Sequence, residues 1–242
     1  ADTLRGSASD DEILGGGGND RTEGGAGNDS LTGGAGDDTL LGGAGADTLD
    51  GGADNNTVSY ITATAGIAAS LTTNTGTAGD ATGDVLVSIG NLIGSNFGDT
   101  LVGGAGQNSL SGLDGNDVLD GAGGNDGING GNGDDTLDGA GGADRILGGA
   151  GNDRIIGGAG GDIVSGGWGD DTFIFRSNDM LPGVIERITD FEQGADKIDL
   201  SAIDANAFIF GNQAFRIVQS SFAETGNHFS GSAGELVIIS TY

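Results

Sequence analysis

Residues 148–174 read GGAGNDRII, then GGAGGDIVS, then GGWGDDTFI: one nine-residue sentence said three times. Each copy has Gly at places one, two and four, Asp at place six and an aliphatic or aromatic residue at place eight. The same sentence runs back to Gly94 and appears again over residues 15–50. Six residues form a turn and three form a short strand. Glycine is tolerated where the chain needs positive φ or close backbone approach, so places one, two and four mark a tight turn with exposed carbonyls. The strand triplet, such as Arg154-Ile155-Ile156, alternates out, in, out. Two repeats then make one coil, with a turn at each end and a strand on each face. The fold predicted is all-β, a right-handed parallel β-roll of nonapeptide repeats.

Stacked coils lie roughly 4.8 Å apart, which puts Asp153 between Asp135 and Asp171, and Asp162 above Asp144. Each like-charged pair costs between ~1 kcal/mol in water and ~3 kcal/mol at an effective dielectric of about 20. One inward side chain per triplet buries too little apolar area to offset a long row of such pairs. A cation between the turns is required. Carboxylate and carbonyl oxygens, with neither thiol nor imidazole, select a hard ion with many oxygen ligands, calcium rather than zinc, copper or magnesium. A collagen-like fibre is excluded by the period of nine and the single proline. Disorder is the expected state of the metal-free chain, given its charge.

The chain divides into four parts. Residues 1–56 are a first repeat block, with place-six Asp11, Asp20, Asp29, Asp38 and Asp47. Thr22 stands where an aliphatic residue is expected. The copy at residues 51–59 has Asn56 for the key Asp, and no strong site is expected there. Residues 57–93 break the period and read as a metal-free parallel β-helical spacer, with a lateral hairpin as the alternative. Residues 94–174 are the second block: Asp99, Asp117, Asp126, Asp135, Asp144, Asp153, Asp162 and Asp171. Asn108 interrupts this row and should bind weakly. Residues 175–242 hold most of the aromatics (Phe175, Phe191, Phe208, Phe210, Phe215, Phe222, Phe229, Tyr242) and read as a β-rich cap. The alternation of sides gives ten Asp pairs: 2/20, 20/38, 11/29, 29/47, 99/117, 117/135, 135/153, 153/171, 126/144 and 144/162. On the order of ten ions are expected.

The 242 residues include 54 Gly, 36 acidic and 8 basic residues, for a net charge of -28. With no basic patch, nucleic acid is excluded as a partner and an anionic membrane surface is disfavoured. There is no cysteine, hence no disulfide frame or thiolate site, and no apolar run long enough to span a membrane. The N-terminus is not a signal peptide. Asp2-Thr3-Leu4 already occupies places six to eight, so a fragment of a longer protein is expected.

The nonapeptide resembles the calcium-binding repeat of RTX proteins. Phe173-Ile174-Phe175, Ile188-Thr189-Asp190-Phe191 and Gly194-Ala195-Asp196-Lys197-Ile198-Asp199-Leu200-Ser201 are similar to the C-terminal domain of serralysin-type metalloproteases. This resemblance implies calcium held by the place-six Asp of stacked turns and by carbonyls of the glycine-rich positions. Those are Gly130, Gly131, Asn132 and Gly133, then Gly148, Gly149, Ala150 and Gly151, then Gly157, Gly158, Ala159 and Gly160. It also implies export by a type I secretion machinery, an extracellular location and a C-terminal secretion signal. The family usually continues further than LVIISTY, so that signal is either truncated or different here. The family's HExxH zinc motif is absent; the one histidine is His228.

Three functions follow. The first is a module that folds on calcium outside the cell and supports secretion of its parent. An enzyme is disfavoured for this chain, with one His, no Cys and no clustered acid/base pair outside the repeats. The third is binding of an acidic polysaccharide such as alginate, because the repeats also resemble modules of secreted mannuronan epimerases and because Arg21, Arg145 and Arg154 point outward. Trp168 is expected at a solvent edge or cap contact, Met180-Leu181-Pro182 in a loop and His228 at the surface. Asp190, Asp196 and Asp199 either hold a separate ion in the cap or are solvated turn carboxylates.

Overall fold

The computed structural model describes residues 1–176, 179 and 185–202, together with the backbone of Ala214–Gln219 and Gly234–Thr241. Phe208, Phe210, Phe222, Phe229, Tyr242, His228 and Met180-Leu181-Pro182 lie outside the described residues, as does the Phe215 side chain.

The chain winds into a parallel β-roll of about ten turns, built as two sheets of twelve strands each. Strand partners are 18 residues apart, Thr3 opposite Arg21 and Arg21 opposite Thr39. That offset is two nonapeptides, so alternate repeats fall in opposite sheets. The first sheet carries Arg21–Ala26, Thr39–Ala44, Gly127–Asn132, Arg145–Ala150 and Ile163–Trp168. The second carries Ser30–Ala35, Thr48–Gly52, Thr136–Asp138, Arg154–Ile156 and Thr172–Arg176.

Place eight forms the core. Leu31, Leu40, Leu49, Leu101, Leu110, Leu119, Ile128, Leu137, Ile146, Ile155 and Phe173 are all buried between the sheets. Thr22 occupies the same inward position, fully buried, with a hydroxyl that finds no partner. The repeat backbone overrides the residue, as it does again at place two. Leu113, Ala122 and Ala140 stand there at φ 85°, 65° and 63°, where most copies carry glycine (Gly149, φ 120°). A side chain in that region is held only by the surrounding geometry.

Residues 57–93 differ from the expected parallel spacer. Thr57–Ser59 and Asn91–Ile93 continue the first sheet in parallel. In the second sheet Val85–Val87 joins Thr48–Gly52 in parallel, and Ala68–Ser70 joins Thr100–Val102 in parallel. Between them lies Thr75–Ala78, antiparallel to both neighbours. The hairpin is therefore built into the sheet rather than thrown out sideways. Its reversal uses Asn74 at φ 58°, a conformation asparagine tolerates. With no glycine turn to fix an 18-residue period, the chain fills two coil levels with three short strands.

At the other end, Ile185–Phe191 stacks in parallel on Ile163–Trp168, and Gly234–Thr241 and Ala214–Gln219 follow antiparallel. Lys197–Ala202 stacks on Thr172–Arg176. Phe173 and Phe191 meet with ring centroids 6.2 Å apart, and Ile188 and Phe175 complete this end of the core.

Candidate metal centre

The place-six aspartates form two buried rows, one at each edge of the sheets. In the pairs predicted from the spacing, the N-terminal member sends its backbone N–H to Oδ1 of the aspartate one coil further on. The distances run from 2.6 Å for Asp2 to Asp20 to 2.9 Å for Asp153 to Asp171. All ten pairs predicted from the spacing are neighbours in this way. That bond fixes the carboxylate and leaves Oδ2 over. Among the described residues, Oδ2 of Asp20, Asp29, Asp38, Asp47, Asp117, Asp126, Asp135, Asp144, Asp153, Asp162 and Asp171 is buried without a hydrogen-bond partner. A buried polar atom left unpaired costs about 1–3 kcal/mol, and more when charged.

Where those oxygens point explains place one. A Cβ on Gly130 would strike Asp135 Oδ2 and come within 2.6 Å of the Gly148 carbonyl. On Gly121 it would lie 2.6 Å from Asp126 Oδ2 and 2.8 Å from the Gly139 carbonyl. Gly157 likewise lends its carbonyl beside Asp144 Oδ2, at Gly139. Place one is glycine for space beside the carboxylate, whereas places two and four, such as Gly131, Gly133, Gly149, Gly151, Gly158 and Gly160, combine positive φ with a Cβ position that would strike a backbone carbonyl of the coil before. The carbonyls at place three of these turns each accept one backbone N–H and keep a second lone pair: Asn132 accepts from Gly115 N, Ala150 from Gly133 N and Ala159 from Gly142 N, at 2.7–2.9 Å. The oxygens converging on each cradle are a place-six carboxylate and a place-one carbonyl. Among the described residues no three His, Cys, Asp or Glu side chains cluster. The donor set, carboxylate and backbone oxygen alone, fits a hard cation such as calcium.

Burial, with neighbouring carboxylates behind it, raises several of these acids. Asp135 and Asp144 move to about 7 and Asp117 and Asp153 to about 6. A cation in the cradle would reverse that pressure.

Two predicted aspartates stand apart. Asp11 is half-exposed and its Oδ2 accepts from Ser7 N and Oγ at 2.6 and 2.9 Å. Asp99 Oδ2 accepts from Ser95 N and its Oδ1 from Ser95 Oγ at 2.8 Å. Both copies carry serine at place two, and that hydroxyl and its N–H satisfy the carboxylate. Asn56 and Asn108 occupy the row with amides. Asn56 Nδ2 donates to the Ala53 carbonyl at 2.9 Å, and Asn108 Nδ2 to the Gly90 carbonyl at 2.8 Å.

Three further acids join the rows: Asp84 and Glu186, which the sequence reading did not single out, and Asp196, which it read as a separate cap ligand or a solvated turn carboxylate. Asp84 accepts Asp47 N at 2.9 Å, and its Oδ2 accepts from the buried Tyr60 hydroxyl at 2.9 Å. Glu186 accepts Asp162 N at 3.0 Å, and Asp196 accepts Asp171 N at 3.1 Å. The signal was present: DVLV at 84–87, ERIT at 186–189 and DKID at 196–199 each place an acid two residues before an inward aliphatic. Asp190 accepts from Ser165 Oγ, Gly166 N and Gly167 N, so it closes the last turn. Asp199 is half-buried and is held below the usual carboxylate range by its bonds to Ser201. Trp168 is 83% exposed at a solvent edge.

The family of RTX calcium-binding nonapeptide repeats matches residues 1–31, 23–58, 93–128, 123–146 and 128–155, together half of the chain. The chain belongs to the RTX calcium-binding repeat family. The peptidase M10 serralysin C-terminal family matches residues 143–238, across the last RTX repeats and the strands that follow them. No curated protein matches the chain. This is thus a calcium-binding RTX module with a serralysin-type C-terminal region, and both matched regions are non-catalytic. No helix among the described residues is long and apolar enough to cross a membrane.

Proposed function

We propose that this RTX module folds when calcium enters the two carboxylate rows outside the cell, and that it thereby supports type I secretion and stability of the protein that carries it. The observation that carries this reading is the set of eleven buried, unpartnered Asp Oδ2 atoms. Without cations they oppose the fold; with cations they become its ligands. At a calcium concentration only ten times Kd, each site adds about 1.4 kcal/mol. About ten such sites match the whole stability of an ordinary domain, ~5–15 kcal/mol. The ligands proposed are the place-six aspartates whose Oδ2 is unpartnered, with the place-one carbonyls facing them. Asp11 and Asp99, already satisfied by serine, are weaker candidates. The ion count stays on the order of ten.

The three arginines that suggested polysaccharide binding share no patch. Arg145 is in the first sheet and Arg154 in the second, while Arg21 is paired with Glu23 at 2.9 Å. The geometry supports the calcium-folding reading over that alternative.

Far-UV circular dichroism during a calcium titration, with magnesium as control, tests the proposal. A cooperative coil-to-β transition with calcium alone is expected. A β spectrum that chelator leaves unchanged overturns it.

A further inference from the structure

The aspartate row of the first sheet does not stop with the last repeat. The structure assigns a further cation site to Asp162 and Glu186, where a divalent oxygen-seeking ion, calcium by its donor set, ties the final coil to the C-terminal segment. This extends the calcium-folding reading and rests on it.

Glu186 sits where the next place-six aspartate would be. Ile163 is opposite Arg187 and Val164 opposite Ile188. Arg187 N donates to the Asp162 carbonyl at 2.9 Å, as each place-seven residue does to the coil before it. Asp162 N donates to Glu186 Oε2 at 3.0 Å, the same bond that links every aspartate pair. The offset is 24 residues rather than 18, and no glycine turn precedes Glu186. The nonapeptide pattern is therefore silent here, yet the carboxylate is delivered.

What points to a ligand is what remains unpaired. Glu186 is 5% exposed and Asp162 is fully buried, and among the described residues neither Glu186 Oε1 nor Asp162 Oδ2 receives a hydrogen bond. A third buried acid, Asp179, adds its charge to both. The nearby Arg176 guanidinium is engaged with Asp138 at 2.8 Å. Two carboxylates facing each other out of water need a cation or a shared proton between them. The cation is favoured because the pair repeats the two bonds that join the coils below it, Asp162 N to the Glu186 carboxylate and Arg187 N to the Asp162 carbonyl. The second row ends differently: both oxygens of Asp196 accept backbone N–H groups, from Asp171 and from Glu192.

The test is the number of calcium ions held by the full chain after dialysis, in the native protein and in Glu186→Gln. The amide keeps an acceptor for Asp162 N, and Asn56 and Asn108 already sit in this row as amides, so the fold tolerates the exchange. One ion fewer is expected, with the β spectrum in calcium retained. An unchanged ion count overturns the site and leaves a shared proton as the account of the pair. Should Glu186→Gln fail to fold, Glu186→Asp decides. The shorter acid is expected to bind its last ion several-fold more weakly, and native affinity throughout would overturn the site. A native chain that binds no calcium at all refutes the folding proposal itself, a result distinct from either.

Discussion

The side-chain amide of Asn108 donates to the carbonyl of Gly90 at 2.8 Å, in a row where the next repeat carries Asp126. An N–H group thus meets the carbonyl where the other repeats bring a carboxylate oxygen. Asn56, nearer the N-terminus in the same row, does the same with Ala53. Restoring the acid should therefore create a site. Asn108→Asp is expected to raise the bound calcium by one ion and to make the neighbouring coils more dependent on it. Isothermal titration calorimetry checks the count; no gain would mean that the central coils cannot host an ion.

The converse change is Asp135→Asn. It removes a buried carboxylate and its unpartnered oxygen from the middle of the second row. Bound calcium should fall by one or two ions, and the calcium midpoint for folding should rise. In chelator the same variant should be no less stable than the native chain, because the charge it removes is unfavourable there.

Gly148→Ala separates space from backbone freedom. The added methyl would strike Asp153 Oδ2 and the Gly166 carbonyl, which fills the cradle. Loss of one ion is expected, with little change in the metal-free chain. Gly149→Ala should instead be disfavoured in both states by at least ~1–2 kcal/mol, because its φ of 120° is unsuited to a side chain and the added methyl would strike the Gly131 carbonyl rather than a carboxylate. Thermal melts with calcium and with chelator distinguish the two.

Acid should act as a poor substitute for calcium. Asp117, Asp135, Asp144 and Asp153 have raised folded-state values, about 6 to 7, against an unfolded value near 4. The metal-free fold binds more protons than the coil, so its stability falls as pH rises through 7 and recovers toward pH 4. Circular dichroism in chelator should show more β structure at pH 5 than at pH 8. In parallel, the calcium midpoint should rise as pH falls from 8 to 5.5, since protons and calcium compete for the same oxygens.

Tyr60→Phe addresses the stretch between the two repeat blocks. Its hydroxyl is the partner of the buried Asp84 Oδ2, and Asp84 is itself raised to about 6, chiefly by burial. Deleting the donor should cost about 1.5–3 kcal/mol at saturating calcium, read as a lower melting temperature with an unchanged ion count.

The roll and its period were legible because the repeat is a geometric instruction. Nine residues per half-coil and an acid two places before an inward aliphatic predict the 18-residue register, the core and the ten neighbouring pairs. What was not legible lay where chemistry is kept but spacing is not. Asp84, Glu186 and Asp196 carry the acid and the aliphatic without the glycine turn, so periodicity passes over them. The antiparallel Thr75–Ala78 is invisible for a related reason: a four-residue Thr-Gly-Thr-Ala strand has no inward apolar mark. The fate of Asp11 and Asp99 rested on Ser7 and Ser95, which read from spacing alone as tolerated changes in the turn.

In the ten aspartate pairs the N-terminal member always donates and the C-terminal member always accepts. The roll therefore has a direction, as a queue has a front. Each member leans on the one ahead, and the one at the front must lean on something that is not a repeat. Glu186 and Asp196 are those two supports. Units of eighteen residues could be spliced into the middle of such a queue without altering either end, whereas removing the front leaves two donors reaching for oxygen that only the C-terminal segment supplies.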